Sequence, residues 1–209
     1  MRFVAFSDTH GYHADIKLPD GDVLLFAGDM CNEGKKSELL LFLDYLRAQP
    51  HRYKILIAGN HDFMFETAPE ETRELVSDFI YLQDEAVTIE GVKIYGSPWQ
   101  PEFYDWAFKL PRGVALKEKW DLIPVDTDVL ITHGPPYHFG DRNNFNHHTG
   151  CKELANALNR VKPKFHVFGH IHEDFCQIRW NGIHLLNVSS IDYFKRPLEI
   201  RPPVVFTYP

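Results

Sequence analysis

Five short apolar runs, each closed by a residue able to bind a metal, constrain this chain more than any other feature of its sequence. Val4-Ala5-Phe6-Ser7 leads into Asp8-Thr9-His10, and Val23-Leu24-Leu25-Phe26-Ala27 into Gly28-Asp29. Ile55-Leu56-Ile57-Ala58 leads into Gly59-Asn60-His61-Asp62. Val129-Leu130-Ile131-Thr132 leads into His133-Gly134, and His166-Val167-Phe168 into Gly169-His170-Ile171-His172. Runs of this length and composition predict buried strands. Each tip has a glycine within a few residues, which permits tight turns and close backbone approach. The strands of an α/β sheet fan their C-terminal ends toward one crevice, so five adjacent strands would bring these tips together. Residues i and i+2 of extended backbone point the same way, so Asp8 with His10 and His170 with His172 reach common volumes. Any one tip alone reads as an ordinary turn or helix cap. Five in one chain point to a shared site.

The rest of the sequence supplies a frame for them. Further strands are predicted at Val92–Tyr95, Phe175–Trp180, Ile183–Asn187 and Val204–Tyr208. Lys35–Gln49 carries Leu39, Leu40, Phe42, Leu43 and Leu46 at helical spacing, and Pro50 ends it. Pro69–Phe79 opens with acidic residues, as the helix dipole prefers, and Gly150–Val161 reads as a third helix. Strands alternate with helices early and crowd together late, a pattern of α/β layers with a partly antiparallel second sheet. No repeat or Pro-, Gly- or Ser-rich linker divides the 209 residues, so residues 1–209 are expected to form a single domain.

The net charge of −7 argues against stable nucleic-acid binding and against anionic membranes. Cys31, Cys151 and Cys176 form no CxxC pair and predict neither a zinc ribbon nor a disulfide framework. The N-terminal apolar stretch is short for a signal peptide, and no 18-residue apolar run occurs. A cytoplasmic protein is the expectation. Twelve histidines is the unusual count, since histidine is the commonest metal ligand. His13, His51, His138, His166 and His184 read as structural or surface residues, and His147-His148 as solvated loop residues.

Asp8-x-His10, Gly28-Asp29, Gly59-Asn60-His61-Asp62, His133-Gly134 and Gly169-His170-x-His172 together resemble the calcineurin-like metallophosphoesterase superfamily. Gly96-Ser97-Pro98-Trp99-Gln100-Pro101, Asp105-Trp106-Ala107-Phe108 and His133-Gly134-Pro135-Pro136 look like its small fetal-brain-type metallophosphodiesterases and their bacterial relatives. The resemblance implies an α/β fold, a four-layer αββα sandwich of two mixed β-sheets flanked by helices. It implies two divalent metal ions: one on Asp8, His10, Asp29 and His172, the second on Asp29, Asn60, His133 and His170, with Asp29 bridging. It places His61 toward the substrate. In some animal members the first His of the Gly-His-x-His motif is Gly; here His170 is present.

The chemistry suits those residues. Two cations roughly 3.5–4 Å apart neutralise a phosphodiester and stabilise both entering and leaving oxygens. A hydroxide bridging them becomes the nucleophile because coordination lowers its pKa, toward ~7 in favourable zinc sites. His61 is the candidate general acid for the leaving alkoxide, with Asp62 expected to orient it. Carboxylate, amide and imidazole ligands suit Mn, Fe, Zn, Ni or Co, with manganese favoured here. Trp99 and Trp106 are candidate faces for a stacking nucleobase, against a packing role, and Arg142 a candidate phosphate contact. The expected partner is a small phosphoester, a nucleotide and possibly a cyclic one. Alternatives are a phosphomonoesterase, including a phosphoprotein phosphatase, and a non-catalytic scaffold, which the complete ligand set disfavours.

Overall fold

A computed structural model describes all 209 residues, Met1–Pro209. The first half runs β1 (Arg2–Phe6), β2 (Val23–Ala27), α1 (Lys36–Arg47), β3 (Tyr53–Ile57), α2 (Met64–Thr67), α3 (Pro69–Leu75) and β4 (Ile80–Tyr81). There follow β5 (Glu85–Ile89), β6 (Val92–Ser97), β7 (Gln100–Pro101), β8 (Lys109–Leu110), α4 (Val114–Asp121) and β9 (Val129–Thr132). The chain closes with α5 (Lys152–Val161), β10 (Phe165–Phe168), β11 (Cys176–Trp180), β12 (Ile183–Asn187), β13 (Ile191–Asp192), β14 (Glu199–Ile200) and β15 (Val204–Thr207). No helix is long and apolar enough to cross a membrane.

Two mixed sheets result. The first has strand order β15-β1-β2-β3-β4, with β1 to β4 parallel and β15 antiparallel at the edge. The second has order β11-β12-β10-β9-β6-β5; its four central strands are parallel and both edges antiparallel. Side chains of a strand alternate between faces, and here the faces part cleanly. Phe3, Ala5, Leu25 and Ile55 meet Ile94, Val129, Ile131 and Val167 between the sheets. Val4, Phe6, Leu24 and Phe26 point the other way, onto Leu39, Phe42, Leu43 and Leu46 of α1. Tyr95, Leu130 and Leu185 pack on Leu116 and Trp120 of α4 and on Leu154 and Leu158 of α5. Burial on both faces explains why the strands read as unbroken apolar runs. Helices, sheet, sheet, helices: this is the expected four-layer αββα sandwich.

Element bounds differ from expectation where tertiary packing overrides local pattern. α3 stops at Leu75 rather than Phe79, because the chain must turn to lay Ile80–Tyr81 beside β3. β5 and α4 are additions. β5 pairs β6 through Glu90-Gly91, and β11 pairs β12 through Asn181-Gly182. All four of these turn residues have positive φ, the backbone of tight two-residue hairpins.

Two backbone bonds join the sheets at one end. Ser7, after β1, donates its amide to Val188, after β12, at 3.2 Å, and Ser190 donates back to Ser7 at 3.0 Å.

His166 on β10 is completely buried. Thr132 Oγ donates to the Gly134 carbonyl at 2.8 Å, so the 2.8 Å bond between Thr132 Oγ and His166 Nε2 has the imidazole as donor. Nδ1 then has no partner for a second proton. Burial pushes the His166 pKa down to about 3. The unfolded chain binds a proton there below about 6.5 and the folded chain does not. The stability this histidine confers is therefore complete above that pH and lost as pH falls from 6.5 toward 3, by at most about 1.4 kcal/mol per unit. His166→Gln keeps the donor and removes the titration; thermal melts across pH 4–7 should show a flatter acid limb for the variant than for the parent.

Candidate metal centre

The tips of β1, β2, β3, β9 and β10 converge where the sheets are knitted. Asp8, His10, Asp29, Asn60 and His133 are buried, and His170 and His172 partly so. Their donor atoms face one another. His10 Nε2 lies 3.3 Å from His172 Nε2 and 3.6 Å from Asp29 Oδ2. His172 Nε2 lies 3.5 Å from Asp8 Oδ1. On the other side, His133 Nε2 lies 3.4 Å from Asp29 Oδ2 and 2.8 Å from Asn60 Oδ1. Asp29 Oδ2 thus stands between two halves, and Asp8–His10–His172 and Asp29–His133–His170 are each spaced to hold an ion.

The spacing itself is a test of fit. Ligand bonds of about 2.1 Å put neighbouring donors about 3.0 Å apart in an octahedron and about 3.4 Å in a tetrahedron. The observed separations match those edges. Hydrogen bonding does not account for all of them: His10 Nε2 and Asp29 Oδ2, at 3.6 Å, are beyond its range. Burial pushes His10 down to about 4 and His170 to about 3, which keeps their lone pairs free for a cation. Burial would raise the Asp8 carboxyl, but the hydrogen bond and charge of His172 hold it well below the usual range. Burial would likewise lower His133, yet the adjacent Asp29 charge lifts it to about 9. The carboxylates draw positive charge into this pocket.

Neighbouring groups aim each ligand. His133 Nδ1 donates to the Ala27 carbonyl at 2.9 Å, which turns Nε2 inward. Asp8 Oδ2 accepts from Ser7 Oγ, from Ser189 Oγ at 2.9 Å and from the His170 amide at 3.0 Å. Asp29 Oδ1 accepts the His61 amide at 2.8 Å. Asp8, His10, Asp29 and His170 all have positive φ, between 42° and 69°, a costly conformation for a non-glycine residue. The glycines allow it. A Cβ on Gly59 would overlap Asp29 Oδ1, and one on Gly169 would overlap Asp8 Oδ2 and Ser7 Oγ.

His61 sits at the edge of this cluster. Its Nδ1 donates to the Asn32 carbonyl at 2.7 Å and its ring meets His10 edge-on at 4.7 Å between centroids. Asp62 does not orient it as expected. That carboxylate turns inward and accepts the amides of Asp29, Met30, Cys31 and Gly59 at 2.8–3.4 Å. Both its oxygens are taken by these amides, and no bond to the His61 ring is made.

A cavity of about 510 Å³ opens above the centre, with Trp106, Phe103, Phe145 and Phe194 among its walls. Trp106 lies 5.0 Å from His61. Trp99 is elsewhere: its Nε1 donates to Asp84 at 2.9 Å, and the Lys119 ammonium covers its ring at 4.3 Å. It is a packing residue, buttressed by Phe108. Arg142 is also displaced, its exposed guanidinium bonded to Asn146 in its own loop. The arginine that lines the cavity is Arg112, which donates to the Thr149 and Gly150 carbonyls at 2.6 and 2.7 Å. Tyr193, stacked 5.4 Å from His172, is a second residue the sequence did not announce.

The profile of the calcineurin-like phosphoesterase family matches residues 1–174. The chain is 42% identical over 233 residues to metallophosphoesterase domain-containing protein 1 of Homo sapiens, covering 100% of this chain and 71% of that protein. It is 42% identical over 206 residues to a UPF0046 protein of Caenorhabditis elegans, covering 84% of this chain and 52% of that one. The crystal structure of TT1561 of Thermus thermophilus superposes with a TM-score of 0.63 over 89% of this chain and 88% of that one, at 16% identity. That likeness is one of fold.

The glycine contacts yield a test. Gly169→Ala should cut the divalent metal retained after dialysis by at least half, read by elemental analysis, because the methyl displaces Asp8; undiminished metal content would show that Asp8 has room to move.

Proposed function

The chain belongs to the calcineurin-like phosphoesterase family, and we propose that within it this protein hydrolyses phosphodiesters of small nucleotides with two divalent cations. Asp8, His10, Asp29 and His172 would hold one ion, and Asp29, Asn60, His133 and His170 the other. The observation that carries this is the position of Asp29 Oδ2, within 3.6 Å of His10 Nε2 and 3.4 Å of His133 Nε2, where a single oxygen serves both halves. Manganese is the first metal to test, since the donor set is free of thiolate.

When bound, such a pair of cations neutralises the phosphoryl oxygens and lowers the pKa of the attacking water. The remaining work falls to the chain. Asn32 holds the Nδ1 proton of His61 through its carbonyl. That leaves Nε2 as the ring nitrogen turned toward the substrate side. With Nδ1 held in this way, Nε2 is placed to pass a proton to the departing alkoxide. Trp106 limits the other side of His61 and offers a flat face to a nucleobase, a contact worth about 1–3 kcal/mol.

Charge favours a diester over a monoester. Arg112 is the fixed cation on the cavity wall, with one donor of each Nη held by a carbonyl, and Glu102 and Glu173 line the same space and offset its charge. A dianionic monoester gains little there beyond the metals.

Two outcomes are expected. His61→Ala should keep two ions per chain and lose about 10²–10⁴ in kcat; loss of an ion with the activity would make His61 a ligand, as its proximity to His10 and Asp29 permits. Metal-stripped protein should be inert and recover with Mn, Ni or Zn, cleaving bis-aryl phosphates faster than mono-aryl phosphates. The reverse preference would assign a phosphomonoesterase.

A further inference from the structure

Behind the centre lies a buried cation that the chemistry above does not use. Arg201 is 8% exposed and follows β14, beyond the 174 residues that match the family profile. Its guanidinium is committed in four directions. Nη1 donates to the carbonyl of His172 and, at 3.4 Å, to that of Ser189. Nη2 donates to Asp192 Oδ2 at 2.7 Å and Nε to Glu199 Oε2 at 3.2 Å, while the plane lies 5.2 Å from the Phe175 ring.

These targets share a property. His172 is itself a candidate ligand, and the Ser189 hydroxyl donates to Asp8. Asp192 precedes Tyr193, whose ring stacks on His172 and meets His10 edge-on at 5.5 Å. All three lead to the Asp8–His10–His172 half. Arg201 touches none of the contacts that brace His133, Asn60 and the shared Asp29, which come from the Ala27 carbonyl and from Asp62 through the amides of Gly59 and Asp29. A planar guanidinium fixes several acceptors in one rigid fork, which an ammonium cannot reproduce.

We propose that Arg201 is the positioning residue that sets the cation affinity of the Asp8–His10–His172 half, by locking the His172 backbone, the Ser189 turn and the Tyr193 segment into one frame. This rests on the two-cation reading above. Without the fork, the short helical turn that begins at His172 loses its tie to β13 and β14, and the imidazole is free to leave the line to Asp8. Loss of such outer contacts typically weakens metal binding 10–100-fold.

The experiment is calorimetric titration of metal-stripped protein with Mn. Arg201→Met, which keeps the contact with Phe175, should bind one ion with the parent's affinity and the second 10–100-fold more weakly. Arg201→Lys should recover part of that loss. Placed on His172→Ala, which already lacks the affected half, Arg201→Met should leave the affinity of the remaining ion unchanged. Two unaltered affinities in Arg201→Met, equal weakening of both ions, or further weakening in the His172→Ala background each overturn the proposal. If Arg201→Met does not fold, Asp192→Asn must weaken the same ion alone, and unaltered affinities there overturn it. A parent protein that binds fewer than two ions overturns the two-cation reading instead.

Discussion

Asp62 commits both carboxylate oxygens to backbone amides of two loops. Four N–H groups, from Asp29, Met30, Cys31 and Gly59, converge on it. Hydrogen bonds to an ionised acceptor are the stronger kind, and here they fasten the loop after β2 to the loop after β3. Asp29 and Asn60 depend on that fastening for their separation. Burial and the nearby Asp29 charge push the Asp62 carboxyl up to about 6, against the pull of the amides. Crowding acidic groups at one point carries this electrostatic cost, and positive charge in the pocket offsets it. The opposed donor atoms, the left-handed backbone at four of the seven candidate ligands and the missing Cβ atoms at Gly59 and Gly169 are parts of one compromise. Each permits a closer approach than an ordinary strand-end turn would allow.

Much of this was legible in the sequence, for identifiable reasons. A strand buried on both faces announces itself as an unbroken apolar run, and its end is marked when glycine and a polar residue follow. That local signal located the C-terminal ends of β1, β2, β3, β9 and β10 to within a residue, together with the seven candidate ligands beyond them. The layer order came from the family likeness, and the alternation of Val4 and Phe6 against Phe3 and Ala5 shows why it holds.

What failed to show was set by contacts between distant segments. Nothing local to Asp62 tells that its carboxylate faces inward while His61 turns to Asn32. Trp99 and Trp106 stand in the same aromatic stretch, yet Asp84 and Lys119 capture the first and the cavity takes the second. Arg142 is turned away from the cavity, and Arg112 lines it instead, because the loop around Asp141 folds back on itself through His148 and the Gly150 amide. One signal was available and unused: Ser189-Ser190 follows the apolar run of β12 just as Asp8 follows that of β1. Arg201 carries no motif; only its burial reveals it.

The seam between the sheets has a mechanical consequence. Elsewhere the two layers meet chiefly through apolar side chains, with one hydrogen bond from the Tyr208 hydroxyl, after β15, to Asp128 at the opposite end. At Ser7, Val188 and Ser190 they share backbone bonds. Directional backbone bonds fix the spacing of the layers there, which non-directional apolar packing alone would not. The candidate metal ligands sit beside this seam, Asp8 directly after Ser7. Asp8, Asp29 and Asn60 follow strands of one sheet and His133, His170 and His172 strands of the other, so the bonds that fix the layers also fix the distance across the centre.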